Sequence, residues 1–155
     1  MATAEGKVYL TKGFLDTFYK GEVTAEELSS VIAHELGHLA LGHTKRRVID
    51  FTGQNALRVI LALTLGRLIP AVGVYIANFL VSLLASKISR NDEFEADAYA
   101  AALLIKSGIG LDPQITLLKK LDNLVGNIST VSWLSSHPKT IDRIKALNRL
   151  KEKWK

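Results

Sequence analysis

Three histidines and a glutamate fall within one short stretch, VIAHELGHLALGH, from Val31 to His43. Residues four apart on a helix lie nearly above one another, so His34 and His38 point the same way. Two imidazoles so placed can grip one metal ion, and Glu35, one position round, can reach a water on it. With only four histidines in 155 residues, a shuffled chain would contain roughly 0.005 such patterns. A catalytic zinc takes three protein ligands and leaves one position for water. One candidate for the third is His43, which falls about half a turn out of phase with His34 if the helix continues. The other is the acidic cluster Asp92-Glu93-Phe94-Glu95-Ala96-Asp97. On a helix Glu93 and Asp97 share a face and Glu95 points nearly opposite. One of the two carboxylates can bind the metal while the other accepts a proton from a ligating histidine.

These residues need elements to hold them. Val8-Tyr9-Leu10-Thr11 is short, β-branched and aromatic, and reads as a strand. Gly13 to Tyr19 reads as a brief helix. Thr24-Ala25-Glu26-Glu27 is a capping box that opens a helix running to about Leu41, with Gly42 as its stop. A second helix carries the acidic cluster up to Lys106, with Gly108 beyond it. Asp112-Pro113 starts another, in which Ile115, Leu118, Leu121 and Val125 recur at helical spacing. His137-Pro138 repeats that signal before a last helix. Its Ile141, Ile144, Leu147 and Leu150 are expected inward, and Lys139, Arg143, Lys145 and Arg149 outward. The chain reads as α+β, predominantly helical, in a single domain.

Composition narrows the classes. There is no cysteine, which excludes disulfides and thiolate metal sites. The formal charge of +5 suits an anionic surface, but no finger or aromatic–basic alternation accompanies it, so a nucleic-acid partner is not expected. The first residues lack a positive region followed by an apolar run. No signal peptide is expected, and the chain is placed in the cytoplasm or on the cytoplasmic face of a membrane.

"HELGH" followed by "SRNDEFEAD" resembles the paired motifs of a family of gluzincin metallopeptidases. This is the family of CAAX prenyl proteases, HtpX-type heat-shock proteases and minigluzincins. "VYLTKGFLDTF" is similar to the strand and helix that precede its zinc helix, and "SSHPKTIDRI" to its late H-P-x-x-x-x-R-I element. The resemblance implies a zincin-like fold and one zinc ion per chain. It implies His34, His38 and Glu93 as ligands, Glu35 as general base and Asp97 as a carboxylate behind a ligand. His137 and Arg143 match the late motif.

The expected chemistry is peptide hydrolysis by a metal-activated water, with Glu35 as the base. His137, extended before a proline at a helix start, is the candidate second donor to the oxyanion. Arg143 is expected to make a structural ion pair. The strand Val8–Thr11 offers an edge on which an extended peptide substrate can add. The competing classes are a non-catalytic zinc-stabilised module and a membrane-surface interaction module.

Residues 56–88, inserted between the two zinc motifs, are strongly apolar. One crossing of a membrane would put ligands of one metal on opposite sides, and two crossings need about 20 residues each, more than the stretch holds. A short helical hairpin is expected instead, one that packs on the domain, joins copies of the chain or dips into a membrane surface. Lys45, Arg46, Arg47, Arg58, Lys87 and Arg90 around its base suit anionic headgroups.

Overall fold

The computed structural model describes residues 7–125 and 140–154. In chain order the helices are α1 Lys12–Tyr19, α2 Ala25–Ala40, α3 His43–Leu68, α4 Gly73–Lys106, α5 Asp112–Val125 and α6 Thr140–Lys153. They belong to two compact units. One comprises the chain up to Leu41 together with everything from Glu93 on, and the other is the intervening Gly42–Asp92.

In the first unit α2 starts where the capping box requires. The Glu27 N–H donates to Thr24 Oγ1 at 3.2 Å, and the Thr24 N–H donates to Glu27 Oε2 at 2.9 Å. Two of the donors that a helix start leaves without intrahelical partners are thereby satisfied. Lys120 of α5 donates to the same Glu27 oxygen at 2.8 Å and to the Glu22 carbonyl at 3.0 Å. Burial pushes the Glu27 carboxyl upward, but Lys120 and the Thr24 N–H outweigh it and hold the pKa below the usual value. At the far end Gly42 has a φ of +68°, in the left-handed region where a Cβ is disfavoured.

Apolar faces close this unit. Phe14 of α1, Val23 and Val31 join Leu117 and Leu121 of α5 in one cluster. Ala101, Leu111, Ile115, Leu118 and Leu147 join α4, α5 and α6 in another. Burying each large side chain contributes about 1.5–3 kcal/mol. Between α2 and α4 the contacts are small: Ala33 packs with Ala100 and Leu104. A Cβ built on Gly37 would stand 2.9 Å from the Ala96 carbonyl oxygen and 3.0 Å from its Cα. The two backbones approach this closely because position 37 carries no side chain.

Two expectations need correction. Among the described residues β structure is confined to one bridge residue, Val8, instead of a strand over Val8–Thr11. Thr11 is the N-cap of α1, its side chain accepting from the Phe14 N–H, and this ends the extended run. In α6, Leu147 is buried as expected, but Ile141 is 58% exposed and Arg143 is 2% exposed. Arg143 shares a face with Leu147, four positions on, and turns inward because a buried carboxylate receives it.

In the second unit the helices outrun the apolar stretch that marked them. α3 begins at His43, and α4 continues past residue 88 into the first unit. His43, Arg46 and Arg47 on the first turns of α3 face Asp92, at 3.9, 3.5 and 3.4 Å. Many of the unit's large apolar side chains are exposed, among them Phe51, Leu63, Leu68, Tyr75 and Phe79.

Candidate metal centre

The spacing of the first motif becomes geometry on α2. His34 and His38 stack with ring centroids 4.7 Å apart and edge to face, their Nε2 atoms 3.1 Å from each other. Glu93, near the middle of α4, meets both: Oε2 lies 3.4 Å from His34 Nε2 and Oε1 3.4 Å from His38 Nε2. All three side chains are buried, and one ligand atom from each lies within 4.8 Å of the others. Donors bound to a tetrahedral zinc at about 2.0–2.1 Å stand about 3.4 Å apart, so these donors are spaced to hold that ion.

A ligating histidine needs its other nitrogen fixed, and Asp97, one turn beyond Glu93, does this. His34 Nδ1 donates to Asp97 Oδ1 at 2.9 Å, leaving the Nε2 lone pair toward Glu93 and His38. Arg143 grips the same carboxylate in a fork, Nε to Oδ2 at 2.6 Å and Nη2 to Oδ1 at 2.8 Å. Its Nη1 lies 3.3 Å from Glu93 Oε2. Gln114, on the first turn of α5, donates from Nε2 to Asp97 Oδ1 at 3.1 Å.

The electrostatics follow from this arrangement. Burial alone would push the Asp97 carboxyl upward, but the bidentate Arg143 guanidinium and His34 outweigh it and hold the pKa at about 2. Burial likewise favours neutral His34, yet Asp97 and Glu93 raise its pKa above the ordinary histidine value. The Arg143 guanidinium is stabilised in its charged form by Asp97, Glu93 and Glu35, against the cost of its burial.

Of the residues singled out in the sequence, His34, His38, Glu93, Asp97 and Arg143 come together. Glu35 is buried on α2 and acts electrostatically on Arg143. Glu95 is exposed, as the opposite face of α4 requires. His43 belongs to the other unit, where it faces Asp92. Tyr9 is exposed, Leu10 packs against the Phe14 cluster and Thr11 caps α1. His137 lies outside the described residues. Gln114 was not singled out. Its signal was a polar residue in phase with the apolar stripe of Leu117, Leu118 and Leu121.

The family model described as peptidase family M48 matches residues 1–151. Metalloprotease LoiP of Escherichia coli is 32% identical over 142 residues, covering 92% of this chain and 54% of its own. A human CAAX prenyl protease 1 homolog is 32% identical over 152 residues, covering 82% of this chain and 31% of its own. Protease HtpX of Psychrobacter is 27% identical over 180 residues, covering 92% and 56%. The chain thus spans about half the length of the two bacterial relatives and about a third of the human one. No solved structure matches it significantly.

Proposed function

The chain belongs to peptidase family M48, and from that premise we propose that it is a zinc-dependent endopeptidase with one zinc ion per chain. The observation that carries the proposal is the buried triangle of His34, His38 and Glu93 donors, with Asp97 behind His34. When bound there, zinc lowers the pKa of a coordinated water toward neutrality and polarises the scissile carbonyl.

The rest falls to the chain. His34, His38 and Glu93 hold the ion. Asp97 fixes the tautomer of His34, and Arg143 keeps Asp97 ionised. Glu35 takes the proton released by the attacking water and returns it to the leaving amine. His137 donates to the oxyanion, a contribution commonly worth a few kcal/mol. An extended peptide adds beside Val8, the residue that keeps β geometry, an arrangement that suits unfolded or extended substrates because backbone pairing reads little of their side chains. A purely structural zinc site has no need of Glu35, so the non-catalytic module is the weaker reading.

Metal analysis and casein cleavage, with and without a chelator, test this. Purified protein should carry about one zinc and cleave only when loaded. Glu35→Gln should keep zinc and fold while losing nearly all activity. Normal cleavage by that variant would defeat the mechanism.

A membrane-surface role for residues 42–92 rests on its own observation. Among the described residues one helix, α3, is long and apolar enough to cross a membrane by length and composition. Large apolar side chains on α3 and on the start of α4 face outward. We propose that 1–155 is a single peptidase domain with 56–88 as an apolar hairpin insertion that dips into an anionic cytoplasmic-face membrane. Partitioning into anionic vesicles, weakened by salt, is the expected result. Equal partitioning into neutral vesicles would remove the electrostatic part, and none at all would sink it.

A further inference from the structure

Three groups converge on Asp97 Oδ1, and only two have a place in the scheme above. His34 Nδ1 is the group being oriented, at 2.9 Å, and Arg143 supplies the counter-charge, at 2.8 Å. The third is the amide of Gln114, at 3.1 Å, which also donates to the backbone carbonyl of Asp97 at 3.4 Å. One amide group thus holds both the side chain and the main chain of the same residue. That restrains the torsions between them and fixes where the carboxylate points. The reverse amide orientation would aim Oε1 at a carboxylate oxygen, acceptor against acceptor, so the sense of the contact is set.

The neutrality of Gln114 matters. A second cation at this position would also hold Asp97, but its charge would oppose that of a divalent ion only a few bonds away. An amide donor orients without adding charge. Its own position is secured by the fold. Gln114 is 3% exposed, follows Pro113 on the first turn of α5, and is flanked by the buried Ile115, Leu117 and Leu118. Groups that support metal ligands belong on elements as rigid as this one.

We propose that Gln114 is a positioning residue of the metal centre. Its amide locks the Asp97 carboxylate so that His34 presents Nε2 to the ion. The inference rests on reading the triangle as a zinc site. The test is zinc affinity, measured by competition with a chromophoric chelator on the full chain. Removing a group in direct contact with a ligating histidine commonly costs 10- to 100-fold in affinity, and Gln114 stands one link further out, so Gln114→Met should weaken zinc about 3- to 10-fold. The unfolding midpoint of the metal-free variant, measured in chelator, shows whether the fold survives.

The decisive arm is the same substitution on an Asp97→Ala background, which removes the side-chain acceptor of Gln114. If Gln114 acts through the carboxylate, its effect should largely vanish there, whereas a packing role would add its full loss again. Wild-type affinity in Gln114→Met, or an undiminished loss in the double variant relative to Asp97→Ala alone, overturns the proposal. Should the methionine variant not fold, Gln114→Asn, whose shorter amide cannot hold both acceptors, is read in the same two ways. A wild-type protein that binds no zinc would defeat the zinc reading itself. Zinc bound equally by wild type and variant would defeat only the role of Gln114.

Discussion

Replacing Gly37 by alanine sets two effects against each other. Helix propensity alone favours alanine by about 0.5–1 kcal/mol. Packing opposes it. The new Cβ would meet the Ala96 carbonyl oxygen at 2.9 Å, the Ala96 Cα at 3.0 Å and the Tyr99 Cβ at 3.3 Å, where ordinary contacts begin at 3.4 Å. The first two are backbone atoms of α4 and cannot rotate aside, so the helices must part by about half an ångström. Overpacking of this kind costs about 1–3 kcal/mol. Packing therefore wins, and the net expectation is a loss of about 1 kcal/mol in the metal-free protein, read by urea denaturation in chelator.

The larger effect should be on the metal. Glu93 lies one turn from Ala96 on the same rigid helix and would move with it, away from His34 and His38. Metal sites tolerate ligand displacements of only about 0.2 Å before geometry suffers. Zinc affinity should fall about tenfold or more, with peptidase activity falling at limiting zinc and recovering in part at high zinc. A variant at least as stable as wild type, with zinc affinity within about twofold, would refute the argument that close backbone approach assembles the site.

Arg143→Met should destabilise the metal-free protein by about 3–4 kcal/mol, because it leaves the buried Asp97 carboxylate without its fork. Arg143→Lys should recover part of this, having lost the bidentate geometry. A loss below about 1 kcal/mol in the methionine variant, by denaturant titration, would contradict the ion-pair reading. Lys120→Met should cost about 0.5–1 kcal/mol at pH 7, a modest figure because the Lys120 side chain is 46% exposed. The folded pKa of Glu27 is lowered. The stability it contributes is therefore present above the ordinary carboxylate range and lost as pH falls through the lowered folded value. The gap between variant and wild type should accordingly close at acid pH, and an equal gap at pH 7 and pH 3 would show that Lys120 acts by packing alone.

What the sequence revealed of the site was whatever depends on one helix at a time. The spacing of His34 and His38, the shared face of Glu93 and Asp97 and the capping box at Thr24 are all local, and all reappear in the structure. What it concealed depends on which helix meets which. The pattern alone puts Arg143 on the outer face of its helix, because a charge in phase with Leu147 and Leu150 has no reason to turn inward until Asp97 is placed opposite. Gln114 is silent in the sequence on the same ground, since its partner Asp97 lies on another helix. In both α5 and α6 the polar side chain that interrupts the apolar stripe is the one that reaches Asp97. Gly37 was hidden differently, since its role lies in the backbone of another helix. The strand over Val8–Thr11 failed because its last residue is a better cap than a strand member.

The first unit is built from two stretches of chain, with residues 42–92 between them. A zinc ion shared by His38 and Glu93 would therefore be a staple across that whole interval. On the chain-entropy account, a cross-link closing a loop of this size is worth roughly 4 kcal/mol. The dependence on length is logarithmic, so doubling the enclosed segment changes the closure term by only about 0.6 kcal/mol. The stapled unit is thus nearly indifferent to how much chain it encloses. With the zinc bound, residues 42–92 would in this sense be a cassette whose length sets little of the closure cost of the donors that flank it.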